Sequence, residues 1–206
     1  MLHKRLRIAP VAFVLALFPG IPALAAQYAS PPNAYTLTDT NSLASPQTVT
    51  YYRDGDMVAT DTVTAPAVSP AANLPNGSHV RAVYDLKNKR GWSWDPTDAS
   101  IPCTSGFGDW GNPFEWMSQI FGDDISQLHP QDLGTDTVAG LKSQIMGLSI
   151  PGQGKAKIWV DEKYGLLVKM TAAGAGGKDQ TALEVTQFST AKPPASAFDV
   201  PARCPK

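Results

Sequence analysis

Hydrophobic and polar residues alternate along most of the chain with the two-residue period that is typical of β-strands. Ile158 and Val160 share one face of such a segment, opposite to Trp159. Leu183 and Val185 repeat this arrangement later in the chain. The same pattern, rich in β-branched and aromatic residues, predicts strands at residues 48–52, 57–63, 79–84, 90–95, 132–140, 142–149, 155–161, 166–171 and 181–188, and at most one short strand at 35–37.

Short turns rich in glycine, asparagine and aspartate separate most of these segments, for example Asp54-Gly55 and the stretch 162–165. Strands joined by short turns are antiparallel neighbours. The sequence therefore predicts a mainly β domain, one meandering antiparallel sheet of about eight to ten strands. A sheet of that size curls, so we expect a half-open barrel whose concave face needs a cover.

One short helix is predicted at residues 114–121. Asn112 is a good N-cap, and Gly122 ends the segment. Phe114, Met117 and Phe121 fall on one face of this helix. Because so short a helix is stable only against a broad apolar surface, we expect it to plug the concave face of the sheet as a movable lid.

The aromatic residues between positions 92 and 121 suggest a binding site beneath this lid. Trp92 and Trp94 share one face of a strand and are predicted to form the floor of an apolar cavity. A cavity with few polar groups suits a lipid or an acyl chain. Ordinary core packing and sugar stacking are the alternatives. The candidate lining residues are Trp92, Trp94, Phe114, Met117, Phe121, Ile158, Val160, Leu183 and Val185.

The first 26 residues have the order of a secretory signal peptide: basic residues at positions 4, 5 and 7, an apolar run at 8–18, and small residues at 22–26. Cleavage is expected near Ala25/Ala26. The run is too short to span a bilayer of roughly 30 Å. We expect a periplasmic or secreted protein with a loose N-terminal arm at 27–46 and a single domain at 47–206.

Net charge limits the partners. The whole chain has 17 basic and 18 acidic residues; without the three bases of the signal segment, 14 basic residues stand against 18 acidic ones, a net charge of −4. Nucleic-acid binding requires clustered bases, so it is not expected. The rest of the chain has no apolar stretch near 20 residues, so no transmembrane span is expected in the mature chain.

The two cysteines, Cys103 and Cys204, are most simply one disulfide in an exported protein. Such a bond would tie the C-terminal tail to the middle of the domain. The alternative is two free, buried thiols.

Catalytic and metal-binding patterns are weak. There is no Gly-x-Ser-x-Gly motif. His79 and His129 are too far apart in the sequence for a zinc pair of the His-x-x-x-His type. We therefore expect no catalytic residues, no metal and no cofactor. A secreted hydrolase with two paired carboxylates remains an alternative.

Five segments, taken in order, resemble the periplasmic lipoprotein-carrier (LolA-like) superfamily. Residues 52–58 resemble its "YRdGdkvR" hairpin, and residues 157–169 resemble its "kvWvDekyGlplk" hairpin. The other matches are the strand pair 83–87 and 92–96, the "etvaG" segment at 137–140, and the closing "p.pas.F.lP" segment at 193–201.

The resemblance implies a half-open barrel whose helices plug an apolar concave face that holds lipid or acyl chains. Ala59 stands where the carrier has a cavity arginine. We expect a non-enzymatic carrier or sensor of the cell envelope that binds an apolar ligand and also contacts an envelope protein. The alternative from a different class is an interaction module with no ligand.

Overall fold

The computed structural model describes residues 28–42, 46–66, 77–122, 125–150, 154–174 and 178–205. The predicted signal peptide lies outside these residues. The described chain forms eleven strands, β1 (Ala34–Asn41), β2 (Gln47–Asp54), β3 (Met57–Thr64), β4 (Ser78–Asp85), β5 (Arg90–Trp94), β6 (Thr104–Ser105), β7 (Gln131–Val138), β8 (Leu141–Ile150), β9 (Gly154–Asp161), β10 (Leu167–Ala173) and β11 (Asp179–Ser189).

All eleven strands belong to one antiparallel sheet in the order β6-β5-β4-β3-β2-β1-β11-β10-β9-β8-β7. Two meanders, β1–β6 and β7–β11, are joined in the middle where β1 pairs with β11. β6 and β7 form the two outer edges and do not pair with each other, so the sheet is not closed. This confirms the predicted mainly β fold, a curved sheet that remains half open.

The first strand differs from its prediction. A loose arm with at most a short strand at 35–37 was expected, but β1 extends over eight residues in the centre of the sheet. Tyr35 and Leu37 are fully buried. β1 is hydrogen-bonded on both sides, by β2 and β11. These two neighbours stabilise the strand, although its own apolar pattern is short.

The strand register defines two faces of the sheet, because residues directly opposite in antiparallel strands point the same way. Leu37 is opposite Tyr51, and Ile158 is opposite both Met170 and Met146. We call this side the helix face; its buried residues include Tyr35, Leu37, Val49, Tyr51, Met146, Ile158, Val160, Met170, Leu183 and Val185.

The other side, which we call the tail face, begins one residue further along the same strands. Tyr52 is opposite Ala59, Ala59 is opposite Val83, and Val83 is opposite Trp92. The C-terminal tail, residues 190–205, covers this part of the sheet with a 3₁₀ turn at Ala195–Phe198. The sheet therefore has two separate apolar clusters, one on each face.

A helical segment, residues 106–130, leads from β6 at one edge of the sheet to β7 at the other edge. It contains a 3₁₀ turn at Pro113–Glu115, the helix α1 (Trp116–Phe121) and a second 3₁₀ turn at Ile125–Leu128. Because its side chains pack against the buried residues of the helix face, the segment crosses that face. No helix in the described ranges has the length and apolar character that a membrane span requires.

Candidate functional site

The helical segment begins at a capped turn, as the sequence predicts. The Asn112 side chain accepts a hydrogen bond from the Phe114 backbone N–H at 3.2 Å and donates one to Glu115 at 2.8 Å. The first turn is 3₁₀ rather than α, and α1 follows it directly. Gly122 ends α1 with a φ of 76°, in the left-handed region that glycine adopts without strain.

Aromatic rings form the contact between the helical segment and the sheet. Trp116 is buried and meets Tyr51 edge-on, with ring centroids 5.8 Å apart. Phe114 meets Tyr35 in the same manner at 5.3 Å. Edge-to-face pairs of this kind add about 0.5–1.5 kcal/mol each to the burial of their surface. The segment is thus held through a few large side chains.

Between residues 107 and 122, the described hydrogen bonds do not connect the helical segment to the sheet. Those of residues 107–122 have both partners within the segment, from Gly111 N–H with Asp109 to Gly122 N–H with Ser118. The neighbouring Gly106 still donates to Gly91 of β5, where the sheet ends. Between residues 107 and 122, apolar contact alone attaches the described segment to the strands.

Most of the predicted lining residues come together. Ile158, Val160, Leu183 and Val185 are buried on the helix face. On the segment, Phe114, Met117 and Phe121 pack against the same cluster while remaining partly exposed. The predicted pairing of a short apolar helix with this sheet surface is therefore present as packing.

Trp92 and Trp94 are the exception, because they lie on the tail face and not beneath the helical segment. The Trp92 indole N–H donates to the Pro205 carbonyl at 2.7 Å. Trp94 is buried in the cluster that contains Cys204. The expectation that both tryptophans form the floor of a cavity under the lid does not fit this arrangement, since the C-terminal tail covers them instead.

The tail is held by several different bonds. Cys103 and Cys204 form the predicted disulfide. Arg81 donates to the Ala197 carbonyl at 2.9 Å, and Arg203 donates to the Asp95 carbonyl at 2.8 Å. Ala59, which the sequence resemblance pairs with an arginine of the carrier family, is buried beneath this tail on the face opposite to the helix face.

Two polar groups lie in the apolar helix face and were missed by the sequence analysis. The hydroxyl of Tyr35 and the Oδ2 atom of Asp39 are buried and have no hydrogen-bond partner among the described residues. The other carboxylate oxygen of Asp39 accepts a long hydrogen bond of 3.4 Å from Asn41. The sequence does contain a signal for this position, because Tyr35 and Leu37 alternate with threonines. Continued by two residues, the same alternation places Asp39 on the buried face.

Burial alters the acidity of these groups. It raises the pKa of Asp39 to about 7, and the hydrogen bond from Asn41 opposes this only in part. Burial also raises the pKa of Tyr51, with further increases from the charges of Asp39 and Tyr35. The pKa of Tyr35 is raised by burial, against the influence of Arg53.

A groove of about 420 Å³ opens mainly on the tail face, where β1 ends, β2 begins and the first half of β11 runs beside them. Asn41, which donates to Asp39, is one of its walls, and the other lining residues are mostly polar. A second groove, of about 320 Å³, lies at the turns around Gly140 and Glu162. The residues of the helical segment line neither of them.

A second ionisable cluster lies on the tail face. His79 is 2.6 Å from Asp61, and Arg81 is 3.7 Å from the same carboxylate. Arg81 also lies over the Trp94 ring at 5.7 Å from its centroid. These contacts connect β3 to β4 on the tail face. Among the described residues, no three His, Cys, Asp or Glu side chains are grouped as metal ligands.

These features define an open antiparallel sheet with a hydrophobically attached helical segment across one face, and several solved structures are similar to it. An uncharacterised conserved protein from Thermus thermophilus is 10% identical, with a TM-score of 0.44 over 83% of this chain and 87% of that chain. A LolA superfamily protein from Nitrosomonas europaea is also 10% identical, with a TM-score of 0.25 over 82% of this chain and 91% of that chain.

MucB is a third similar structure, 18% identical, with a TM-score of 0.47 over 84% of this chain. This chain spans only 58% of the MucB chain. No protein-family profile matches the sequence, and no curated protein matches it. With TM-scores below 0.5, these similarities do not establish a family or an activity for this chain.

Proposed function

We propose that the protein binds the hydrocarbon chain of a lipid between the helical segment and the helix face, as a non-enzymatic carrier or sensor of the cell envelope. The observation that carries this proposal is the attachment of residues 107–122, which have no hydrogen bond to the strands. A cover held only by apolar contact exchanges its contacts with the sheet for contacts with an apolar ligand at little cost in hydrogen bonds.

The chemistry of the two surfaces supports this function. The cluster against which the segment packs contains aliphatic residues of the central strands, Leu37 and Ile158 among them, so displacement of the segment would expose part of an apolar surface. Each methylene of a bound acyl chain gains roughly 0.8 kcal/mol on leaving water. A chain of about a dozen methylenes therefore compensates for the contacts that Phe114 and Met117 give up when they move.

The disulfide supports a site of action outside the cytoplasm. Disulfides persist in oxidising compartments such as the periplasm and are rare in the cytosol. Cys103 and Cys204 are bonded, and the described residues contain no free cysteine. We infer that the chain is exported, in agreement with the predicted signal peptide.

Charged substitutions on α1 test the proposal. Met117→Asp combined with Phe121→Asp places two carboxylates on the side that packs against the sheet. We expect binding of the neutral fluorescent probe N-phenyl-1-naphthylamine to weaken by at least about tenfold, since the probe would then meet charge instead of apolar surface. Fluorescence titration measures the affinity, and circular dichroism checks that the sheet is intact.

Ile120→Asp is the matched control, because Ile120 lies on the same helix and is 41% exposed. It should leave the affinity unchanged within about twofold. Mass spectrometry of organic extracts of the protein purified after export then identifies the natural ligand. An extract without lipid, together with no binding of the probe by the wild-type protein, would contradict the proposal.

The free edge of β7 favours a second candidate function, binding of an envelope protein. Among the described strands, β7 pairs with β8 alone, and residues 131–137 are exposed. An edge strand presents unpaired N–H and C=O groups to which an extended segment of another protein can add as a further strand. MucB has been solved in complex with MucA(peri), at 17% identity to this chain. If the sheet of this chain binds no lipid, binding of a protein partner is the remaining candidate function.

A further inference from the structure

Asp39 is a buried carboxyl group for which the structure supplies no cation. It lies on the helix face near the C-terminal end of β1, directly opposite Val49 of β2 and Val185 of β11. It is 0% exposed, and the ion pairs among the described residues do not include it. A buried acid without a partner is costly, so its place in an otherwise apolar surface requires an explanation.

We propose that Asp39 binds the ammonium head group of an amine-bearing amphiphile whose hydrocarbon chain lies between the helical segment and the helix face. This inference rests on the proposed function and adds the chemical class of the ligand. The missing partner of Asp39 Oδ2 is then the N–H group of the ligand, which supplies both a hydrogen bond and the opposite charge.

Aromatic side chains near Asp39 favour the same occupant. Tyr51, two residues from Val49 on β2, is the diagonal neighbour of Asp39 on this face. The Trp116 ring packs edge-on against Tyr51. Ammonium groups are attracted to the faces of such rings, and the attraction increases when water is excluded. A carboxylate head would instead be repelled by ionised Asp39.

The position of Asp39 along β1 separates the head of the ligand from its chain. Leu37 and Tyr35 follow on the same face, away from the strand end, and the helical segment lies over Tyr35 through Phe114. Four residues of a strand span about 13 Å. A head at Asp39 therefore leaves the hydrocarbon chain over the apolar part of the sheet.

Asn41, at the end of β1, is the side chain that touches Asp39, through a long hydrogen bond of 3.4 Å. The groove beside it opens mainly on the tail face, where Thr40 and Glu184 lie, so a ligand reaches Asp39 from the helix face, beneath the helical segment. Because the pKa of Asp39 is about 7, the group is already partly ionised at neutral pH, and ionising the remainder for an ammonium partner costs little.

The test compares amphiphiles that differ only in their heads. Dodecylamine, dodecanol and dodecanoate, each below its micelle concentration or solubility limit, compete with the neutral fluorescent probe N-phenyl-1-naphthylamine for the wild-type protein at pH 7.5. We expect dodecylamine to bind at least about tenfold more tightly than dodecanol, as one charged hydrogen bond implies. Dodecanoate should bind more weakly than either.

Two variants locate the preference. Asp39→Asn keeps the shape and removes the charge, and it should reduce the preference for the amine to about twofold or less. Asp179→Asn removes an acid that is paired with Lys157 on the exposed part of β11, and it should retain the wild-type preference. Equal loss in both variants would overturn the inference, because a general attraction of cations would then explain the result.

The outcomes also separate this inference from the function on which it rests. Binding of dodecanol and dodecylamine with equal affinity to the wild-type protein overturns the role of Asp39 and leaves lipid binding intact. Failure of the probe and of all three amphiphiles to bind overturns both. The comparison within the wild-type protein does not depend on the folding of any variant.

Discussion

Asp39 is the residue that departs most from the pattern of its surroundings. Its carboxyl group is buried among aliphatic and aromatic side chains, and burial raises its pKa to about 7, above an ordinary value of 3.8. The folded protein therefore holds the Asp39 proton more tightly than the unfolded chain does. The resulting stability is complete below the ordinary pKa and is lost as the pH rises through about 7.

We predict that Asp39 lowers the free energy of unfolding by up to about 1.4 kcal/mol for each pH unit between pH 4 and 7. Asp39→Asn removes this titration and should make the protein more stable than the wild type at pH 8. Urea unfolding of both proteins at several pH values measures the difference. Parallel curves for the two proteins across this range would show that Asp39 does not titrate with a raised pKa.

Alternation identified the inward aliphatic residues, such as Ile158 and Val185, because each follows the two-residue period without interruption. Asp39 and Tyr35 were missed for a different reason. They lie in a stretch with prolines and small polar residues on either side, and a strand of that composition is stable only between two partners, β2 and β11. Long-range pairing of this kind leaves little local signal in the sequence.

Among the elements, the helical segment differs most from the strands around it. Its hydrogen bonds between residues 107 and 122 are internal, and α1 has only six residues. Helices of this length are unstable without tertiary contact. The segment therefore depends on the sheet, while the hydrogen bonds of the sheet do not depend on residues 107–122.

We predict that the amide protons of Trp116–Phe121 exchange through local opening, at a lower free energy than those of β1. Asn112→Ala removes the cap of the 3₁₀ turn that leads into α1 and costs about 1 kcal/mol, which should accelerate exchange in α1 about fivefold. Native-state hydrogen exchange with mass spectrometry measures both effects. Exchange of α1 and β1 at one common free energy would contradict the prediction.

Apart from β1 and β6, strand positions were predicted closely because period-two alternation and glycine turns occur together, as at Asp54-Gly55 between β2 and β3. The two-residue strand β6 is too short for any periodicity to appear. The orientation of β5 shows a further limit. Alternation correctly places Trp92 and Trp94 on a common face of the strand. It does not predict that the C-terminal tail, about a hundred residues later in the chain, covers that face.

At the scale of the whole molecule, the disulfide joins the tail to the segment that follows β5. The two cysteines are 101 residues apart in the sequence. A cross-link that closes a loop of this size reduces the entropy of the unfolded chain by an amount worth about 4–5 kcal/mol. The bond also keeps the tail over Trp92 and Trp94.

We predict that replacing both cysteines, Cys103→Ser with Cys204→Ser, lowers the free energy of unfolding by about 4 kcal/mol. Tryptophan fluorescence should shift to longer wavelength as the tail loosens over Trp92. Denaturant unfolding measures the first effect, and wild-type protein under reducing conditions is the control that should behave alike. A loss under about 1 kcal/mol would show that the other tail contacts suffice.

The pairing of β1 with β11 has a consequence for the way the protein is made. Thr36 is among the first described residues to be synthesised, but its partner Ser189 is among the last. Until β11 emerges, one edge of β1 stays bare in the middle of the future sheet, and the two meanders are separate ribbons. A truncated or stalled chain would therefore expose a long apolar strand edge, which neighbouring unfinished chains can pair with. The yield of folded protein is thus expected to depend on β1 not pairing with other chains before β11 is available.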